Sequence, residues 1–186
     1  ETEIGWIESR RGDMLGFWSK VEEGTIPTRV THNDTKINNI LFDRQGEVLC
    51  AIDLDTVMAS TSLNDFGDAI RSYANTGDED DRDLSRVGLS LEMFRAYTEG
   101  YLSQRAKQLT DSEIDHLAFS ARYITFEQVL RFLMDYIDGD TYYKVKYPGH
   151  NLVRTHAQYR LLQSMEEHYG EMCRIVRETV DKYRKA

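Results

Sequence analysis

The sequence predicts an α+β fold that is mostly α, with one small β-hairpin and a helical bundle. Three observations carry this. Two short apolar runs, Ile40-Leu41-Phe42 and Val48-Leu49-Cys50-Ala51-Ile52, flank the polar segment Asp43-Arg44-Gln45-Gly46, which reads as a hairpin. Downstream of residue 83 the apolar residues recur only at helical spacing. Strands do not alternate with helices, so a parallel doubly wound sheet is not expected.

Taken in order, residues 8–22 space Met14, Leu15, Trp18 and Val21 as one helical stripe, weakened by Gly12 and Gly16. Glu22-Glu23-Gly24-Thr25-Ile26-Pro27 ends it, and Arg29-Val30-Thr31 reads as extended. The hairpin spans residues 40–52. Residues 56–70 are rich in small and polar side chains and read as a structured loop, leading into a short helix over 65–74. Asn75-Thr76-Gly77-Asp78-Glu79-Asp80-Asp81-Arg82-Asp83 reads as a solvated acidic linker and the best internal sub-boundary, at 75–83. A helix follows over 90–104 (Leu91, Phe94, Tyr97, Tyr101, Leu102). Thr110-Asp111-Ser112-Glu113 is a capping box that opens a helix to about residue 137 (Ile114, Leu117, Ala118, Ala121, Ile124, Val129, Leu130, Leu133, Met134). Asp138-Gly139-Asp140 stops it, residues 141–149 form a loop, and one last helix is expected over 153–183.

With 186 residues, 40% of them hydrophobic, the chain suits one globular domain with a sizeable core. A net charge of -9 argues against a nucleic-acid partner and against anionic membranes. No apolar stretch approaches the roughly 18 residues a membrane span needs, and no signal peptide is evident, so a cytoplasmic location is expected. Cys50 and Cys173 form no framework; Cys50, in an apolar strand, reads as a small buried hydrophobe.

Chemistry concentrates around the hairpin. His32-x-Asp34-x-x-x-x-Asn39 precedes its first strand, and Asp53-Leu54-Asp55 leaves its second. A hairpin returns the chain to its start, so Asn39 and Asp53 should lie side by side with Asp34 facing both. An amide oxygen and carboxylates converging in this way suit Mg²⁺. The spare Asp suits the proton of an attacking hydroxyl, and the same His-x-Asp…Asn layout occurs in protein kinases. His32 is expected to fix the loop by hydrogen bonding. Asp55 is either a second metal ligand or a loop-binding group. Asp65-Phe66-Gly67 spells the protein-kinase triplet, but it lies beyond the hairpin, so the metal is assigned to Asp53. Asp65 is read as structural, capping the helix that begins there. A different reading makes Asp53 an aspartyl-phosphate nucleophile and Asp55 its acid/base, as in a D-x-D-x-T phosphatase; that needs a parallel sheet.

Together, Thr31-His32-Asn33-Asp34-Thr35-Lys36, Ile52-Asp53-Leu54-Asp55-Thr56-Val57-Met58 and Asp65-Phe66-Gly67-Asp68-Ala69-Ile70-Arg71 resemble the aminoglycoside phosphotransferase and choline kinase group, and are most similar to N-acetylhexosamine 1-kinases. The resemblance implies a protein-kinase-like fold, ATP as co-substrate, Mg²⁺ as cofactor, and a small-molecule acceptor such as a sugar. It implies Asp34 as base, Asn39 and Asp53 as Mg²⁺ ligands, and Arg131 and Tyr142 as sugar contacts. Arg131 could instead pair with Glu127 or Asp135, four positions either side, and Tyr142 could simply pack on the helices. Such kinases also carry an N-terminal lobe with a phosphate-covering loop and a strand lysine. The 30 residues before Thr31 cannot hold one. The chain is therefore expected to be the C-terminal lobe alone, with little activity by itself and the missing lobe as its partner. A kinase-derived binding module without catalysis is the competing expectation.

Overall fold

The computed structural model describes residues 1–184 and is mostly helical. The described residues form seven α-helices and two antiparallel strand pairs: α1 (Thr2–Glu8), α2 (Arg11–Glu22), β1 (Arg29–Thr31), β2 (Ile40–Phe42), β3 (Val48–Ala51), β4 (Met58–Ser60), α3 (Ser62–Tyr73), α4 (Leu91–Arg105), α5 (Asp111–Ile137), α6 (His150–Glu167) and α7 (Tyr169–Arg184). Strand β2 pairs with β3 as the expected hairpin, and β1 pairs with β4. Both pairs are antiparallel, so the parallel sheet that an aspartyl-phosphate phosphatase needs is absent among the described residues. No helix among them is long and apolar enough to cross a membrane.

The core is the interface of α3, α4, α5, α6 and α7. Phe66 and Ile70 of α3 meet Phe94 and Leu102 of α4, Leu117 and Ala121 of α5, Leu161 and Met165 of α6, and Ile175 of α7. These residues lie on both sides of the acidic segment 75–83. That segment is not a free solvated linker. Asp81 is buried, Glu79 takes a hydrogen bond from Arg71, and Asp80 takes bonds from Lys146 and His150.

Helix α5 is the axis. Its capping box forms as the sequence requires. Glu113 of that box is fully buried, with its carboxylate clamped bidentately by Arg29 of β1 at 2.6 and 2.7 Å. Ser62, opening α3, donates to the same carboxylate at 2.7 Å. One buried charge therefore ties β1, α3 and α5 together. Burial alone would raise its pKa. The bonds from Arg29, the Thr110 backbone and Ser62 outweigh that and hold it at about 2.

Several expectations need correction. The first helix is two, breaking at Ser9–Arg10. Arg10 turns onto Glu166 of α6, and Trp6 stacks on Tyr159, so the chain bends to lie on α6. Met14 and Phe17 form the buried face of α2, whereas Leu15 is exposed. Residues 58–60 are a strand because their backbone pairs with β1; Met58 and Ala59 are exposed, so no apolar alternation marks it. Helix α3 begins at Ser62 with Thr61 as its cap, three residues ahead of Asp65, so Asp65 is not a cap. The last helix is two, breaking at His168, whose ring bonds back to the Ser164 carbonyl. Helix α7 then turns onto α4 and α5. Cys50 is exposed. Its hairpin carries apolar side chains on both faces, and no described element covers it: Leu41, Phe42, Val48 and Leu49 all stand exposed. Met134 also faces outward.

Glu113→Gln should destabilise the fold by about 2–3 kcal/mol, because it leaves the partly buried Arg29 without its counter-charge and weakens the charge-assisted bonds that met the carboxylate. A carboxylate held down in the folded state contributes stability above its unfolded pKa. That contribution should be lost as pH falls from about 4.5 toward about 2. Urea unfolding of wild type and variant across this range checks both, and the two curves should converge at the acid end.

Candidate active site

The loop from Thr31 to Asn39 has few hydrogen bonds of its own, and α3 shapes it from outside. Asp65, in the first turn of α3, accepts the backbone N–H of His32 at 3.0 Å and of Asn33 at 2.7 Å. Asn33 adopts left-handed backbone geometry (φ 62°), and its side chain donates to the Thr56 carbonyl. Thr35 donates to the Asp65 carbonyl at 2.7 Å. The Thr56 hydroxyl donates to the His32 carbonyl, and His32 Nε2 meets the Ile52 carbonyl at 3.0 Å. His32 therefore links the loop to the end of the hairpin.

This scaffold presents Asp34. Asn39 Nδ2 donates to Asp34 Oδ2 at 2.8 Å and to its carbonyl at 2.9 Å. Lys36 Nζ donates to the same Oδ2 at 2.7 Å. Both partners hold one oxygen, and Oδ1 has no hydrogen bond among the described residues. Asn39 is buried and spends its amide nitrogen on Asp34, which leaves its side-chain oxygen available. The Ile52 N–H donates to the backbone carbonyl of Asn39, so the hairpin does return Asp53 to Asn39.

Asp53 also has left-handed geometry (φ 64°) and is exposed. Its pKa is raised, first by a hydrogen bond with Asp55 and by that group's charge; Lys36 opposes the shift. Two carboxylates crowded in this way favour a cation between them. Among the described residues no three acidic, His or Cys side chains form a ready-made metal cluster. The oxygen donors available are Asp53, Asp55 and the side-chain oxygen Oδ1 of Asn39. That set fits Mg²⁺, which is commonly held by one or two carboxylates and completes its shell with water and phosphate.

On its other side Asp34 lines a cleft of about 680 Å³ whose walls include Arg71, Glu79, Arg131, Tyr142 and Gln158. The structure thus brings Asp34, Arg131 and Tyr142 to one cleft. Asn39, Asp53 and Asp55 are not among its walls. Asp34 and its partner Lys36 stand between the two regions. Arg131 makes no hydrogen bond or ion pair within contact distance among the described residues, with Glu127 or with Asp135, although its charge acts on Glu127 and opposes the rise that burial gives that carboxyl. It lies 5.9 Å from the Tyr142 ring and 5.6 Å from the Tyr143 ring. Tyr142 packs edge-on against Tyr143 but is largely exposed.

Lys36 is the site residue the sequence reading passed over. Burial works against its ammonium, but the hydrogen bond and charge of Asp34, with Asp53 and Asp68, raise its pKa. The available signal was a cation two residues after the candidate base.

Asp65→Ala should leave two loop N–H groups without acceptors and destabilise by about 1–3 kcal/mol. Limited proteolysis of the variant should cut within residues 31–39, where the wild type resists.

A family model described as a phosphotransferase enzyme family (APH) matches residues 7–107. The matched span holds Asp34, Asn39 and Asp53 and stops short of Arg131 and Tyr142. The match covers more than half of the chain, and the protein belongs to this phosphotransferase family.

Proposed function

We propose that the chain is the acceptor-binding and catalytic part of an ATP- and Mg²⁺-dependent kinase that phosphorylates a hydroxyl of a small molecule. The observation that carries this is Asp34. One carboxylate oxygen is fixed by Asn39 and Lys36, the other is free, and the residue stands between an oxygen-rich corner and a cleft.

In this reading the acceptor hydroxyl sits in the cleft with its proton directed at Asp34. As the proton passes to Asp34, the hydroxyl oxygen forms its bond to the γ-phosphorus. The bond from that phosphorus to the bridging oxygen breaks, and ADP leaves. Lys36 balances the charge of Asp34 in the resting site. Asn39, Asp53 and Asp55 would hold Mg²⁺, which when bound neutralises charge on the phosphate oxygens.

The acceptor we propose is a sugar, an N-acetylhexosamine phosphorylated at its anomeric hydroxyl. Supporting it are the loop wording from Thr31 to Lys36 and a cleft wall of Arg131 and Tyr142. A polar donor beside an aromatic face suits a ring that carries both hydroxyls and C–H groups. The nucleotide-covering half of the site is assigned to a further lobe of the complete protein, where ATP would be gripped.

In the complete protein, Asp34→Asn should lower kcat by about 10²–10⁴ while leaving ATP affinity nearly unchanged. Wild-type turnover in that variant would remove Asp34 as base. Asp53→Ala should raise the Mg²⁺ concentration needed for half-maximal activity, and an unchanged titration would exclude it as a ligand. A screen of hexosamines, aminoglycosides and choline with ATP, read as ADP release, identifies the acceptor; turnover of the cationic acceptors alone would overturn the sugar assignment.

A further inference from the structure

Arg131 reaches the cleft from α5, and Tyr142 reaches it from a segment with little regular structure. Helix α5 ends at Ile137, and the chain reverses through Gly139 (φ 88°) and Asp140 (φ 59°) into the loop carrying Tyr142 and Tyr143. The side chain of Asp135 holds the start of this loop by its backbone. Asp135 lies four residues after Arg131 and is buried, at 6% exposure. Its Oδ1 accepts the backbone N–H groups of Thr141 (2.9 Å) and Tyr142 (2.8 Å). Its Oδ2 accepts the N–H of Tyr143 (3.0 Å) and the side-chain amide of Asn151 (2.8 Å). Four donors use the whole acceptor capacity of a carboxylate. Nothing is left for Arg131, the partner that helical spacing would give it.

The result is an ordered wall. Tyr143 packs against Phe132 at 4.8 Å, and its hydroxyl accepts from Gln128, another residue of the cleft. Tyr142 stands edge-on to Tyr143, and Arg131 lies over both rings. Asn151, the fourth donor, also binds Asp140, so the start of α6 and the turn are fastened to the same carboxylate.

We infer that Asp135 is a positioning residue for the acceptor: by occupying three consecutive loop N–H groups it sets Tyr142 and Tyr143 against Arg131, and by declining the ion pair it leaves the Arg131 guanidinium free for acceptor oxygens. This rests on the kinase reading above. It concerns how the acceptor is bound, not how the phosphoryl group moves, so the effect belongs in the acceptor KM.

The test is steady-state kinetics on the complete protein with ATP and N-acetylglucosamine, or the best acceptor of the screen. Asp135→Asn puts donors where donors already point. It should raise the acceptor KM about tenfold or more, with kcat and the ATP KM within about twofold of wild type. Tyr142→Ala should raise the acceptor KM too. In the Asp135→Asn, Tyr142→Ala double variant the effects should fall short of multiplying, because both remove the same wall. Multiplicative effects, or kcat and both KM values changing together, would mark Asp135 as general scaffolding and overturn the inference. If wild type transfers phosphate to no acceptor, the kinase reading itself fails, and this inference with it.

A measurement on wild type avoids dependence on the variant's folding. The Thr141, Tyr142 and Tyr143 amides should exchange slowly despite lying in a surface loop, and saturating acceptor should slow them further. Exchange at unstructured rates, or no response to acceptor, would also overturn it.

Discussion

The two backbone N–H groups that end on Asp65 are the constraint on which the site depends. They act with the bond from the Asn33 side chain to Thr56, which helps keep Asn33 in left-handed geometry, and with Asn39 and Lys36, which fix the direction of Asp34. Asp65 in turn is only as well placed as α3, which lies very close to α5. A Cβ on Gly67 would stand 2.4 Å from the Ser120 carbonyl oxygen, so the contact needs a glycine. Two residues apart on one helix turn, Gly67 seats the helix and Asp65 exports that position to the loop. The Asp65-Phe66-Gly67 triplet therefore serves Asp34 through packing and backbone hydrogen bonds, with Phe66 wholly buried between them.

Charge is divided by depth. The buried ions hold the fold: Glu113 on Arg29, and Arg71 on Asp68 and Glu79. Each would be costly to strand, and each has its partner within hydrogen-bonding distance. The ions of the site are shallower. Asp53 and Asp55 repel one another at the exposed end of the hairpin, and Asp34 is satisfied on one oxygen only. The repulsion between Asp53 and Asp55 is tolerable because both lie at the exposed end of the hairpin, where water screens it.

How much of this the sequence disclosed follows from the range of each interaction. The hairpin was legible because two apolar runs and a Gly-bearing turn are local signals, and it brought Asn39 to Asp53 by geometry alone. The capping box at Thr110 was legible for the same reason. Strand β4 was not, since its pairing with β1 joins residues far apart in the chain, Arg29 with Ser60 and Thr31 with Met58, and Met58 and Ala59 are exposed. The exposure of Cys50 was missed because apolar composition marks a strand but not whether anything covers it. Asp135 was considered only as an ion-pair partner four residues from Arg131. Its real partners are the N–H groups of a loop that follows the helix, and nothing in their side chains advertises them.

Lys36 and Arg131 illustrate why a free energy matters more than a contact. The Lys36–Asp34 pair is 2.7 Å long with side chains 39% and 25% exposed. A pair in such a setting contributes about 0–1 kcal/mol. Lys36 can therefore leave Asp34 at little cost, and losing the cation makes the carboxylate a stronger proton acceptor. Arg29 has no such freedom, since leaving Glu113 would strand a wholly buried charge. Arg131 reaches the same readiness by another route, because Asp135 is already saturated and offers it nothing. Cations held weakly at the cleft thus stand over a frame in which the buried charges are held strongly, and the loop is ordered by the second while the first stay free to move.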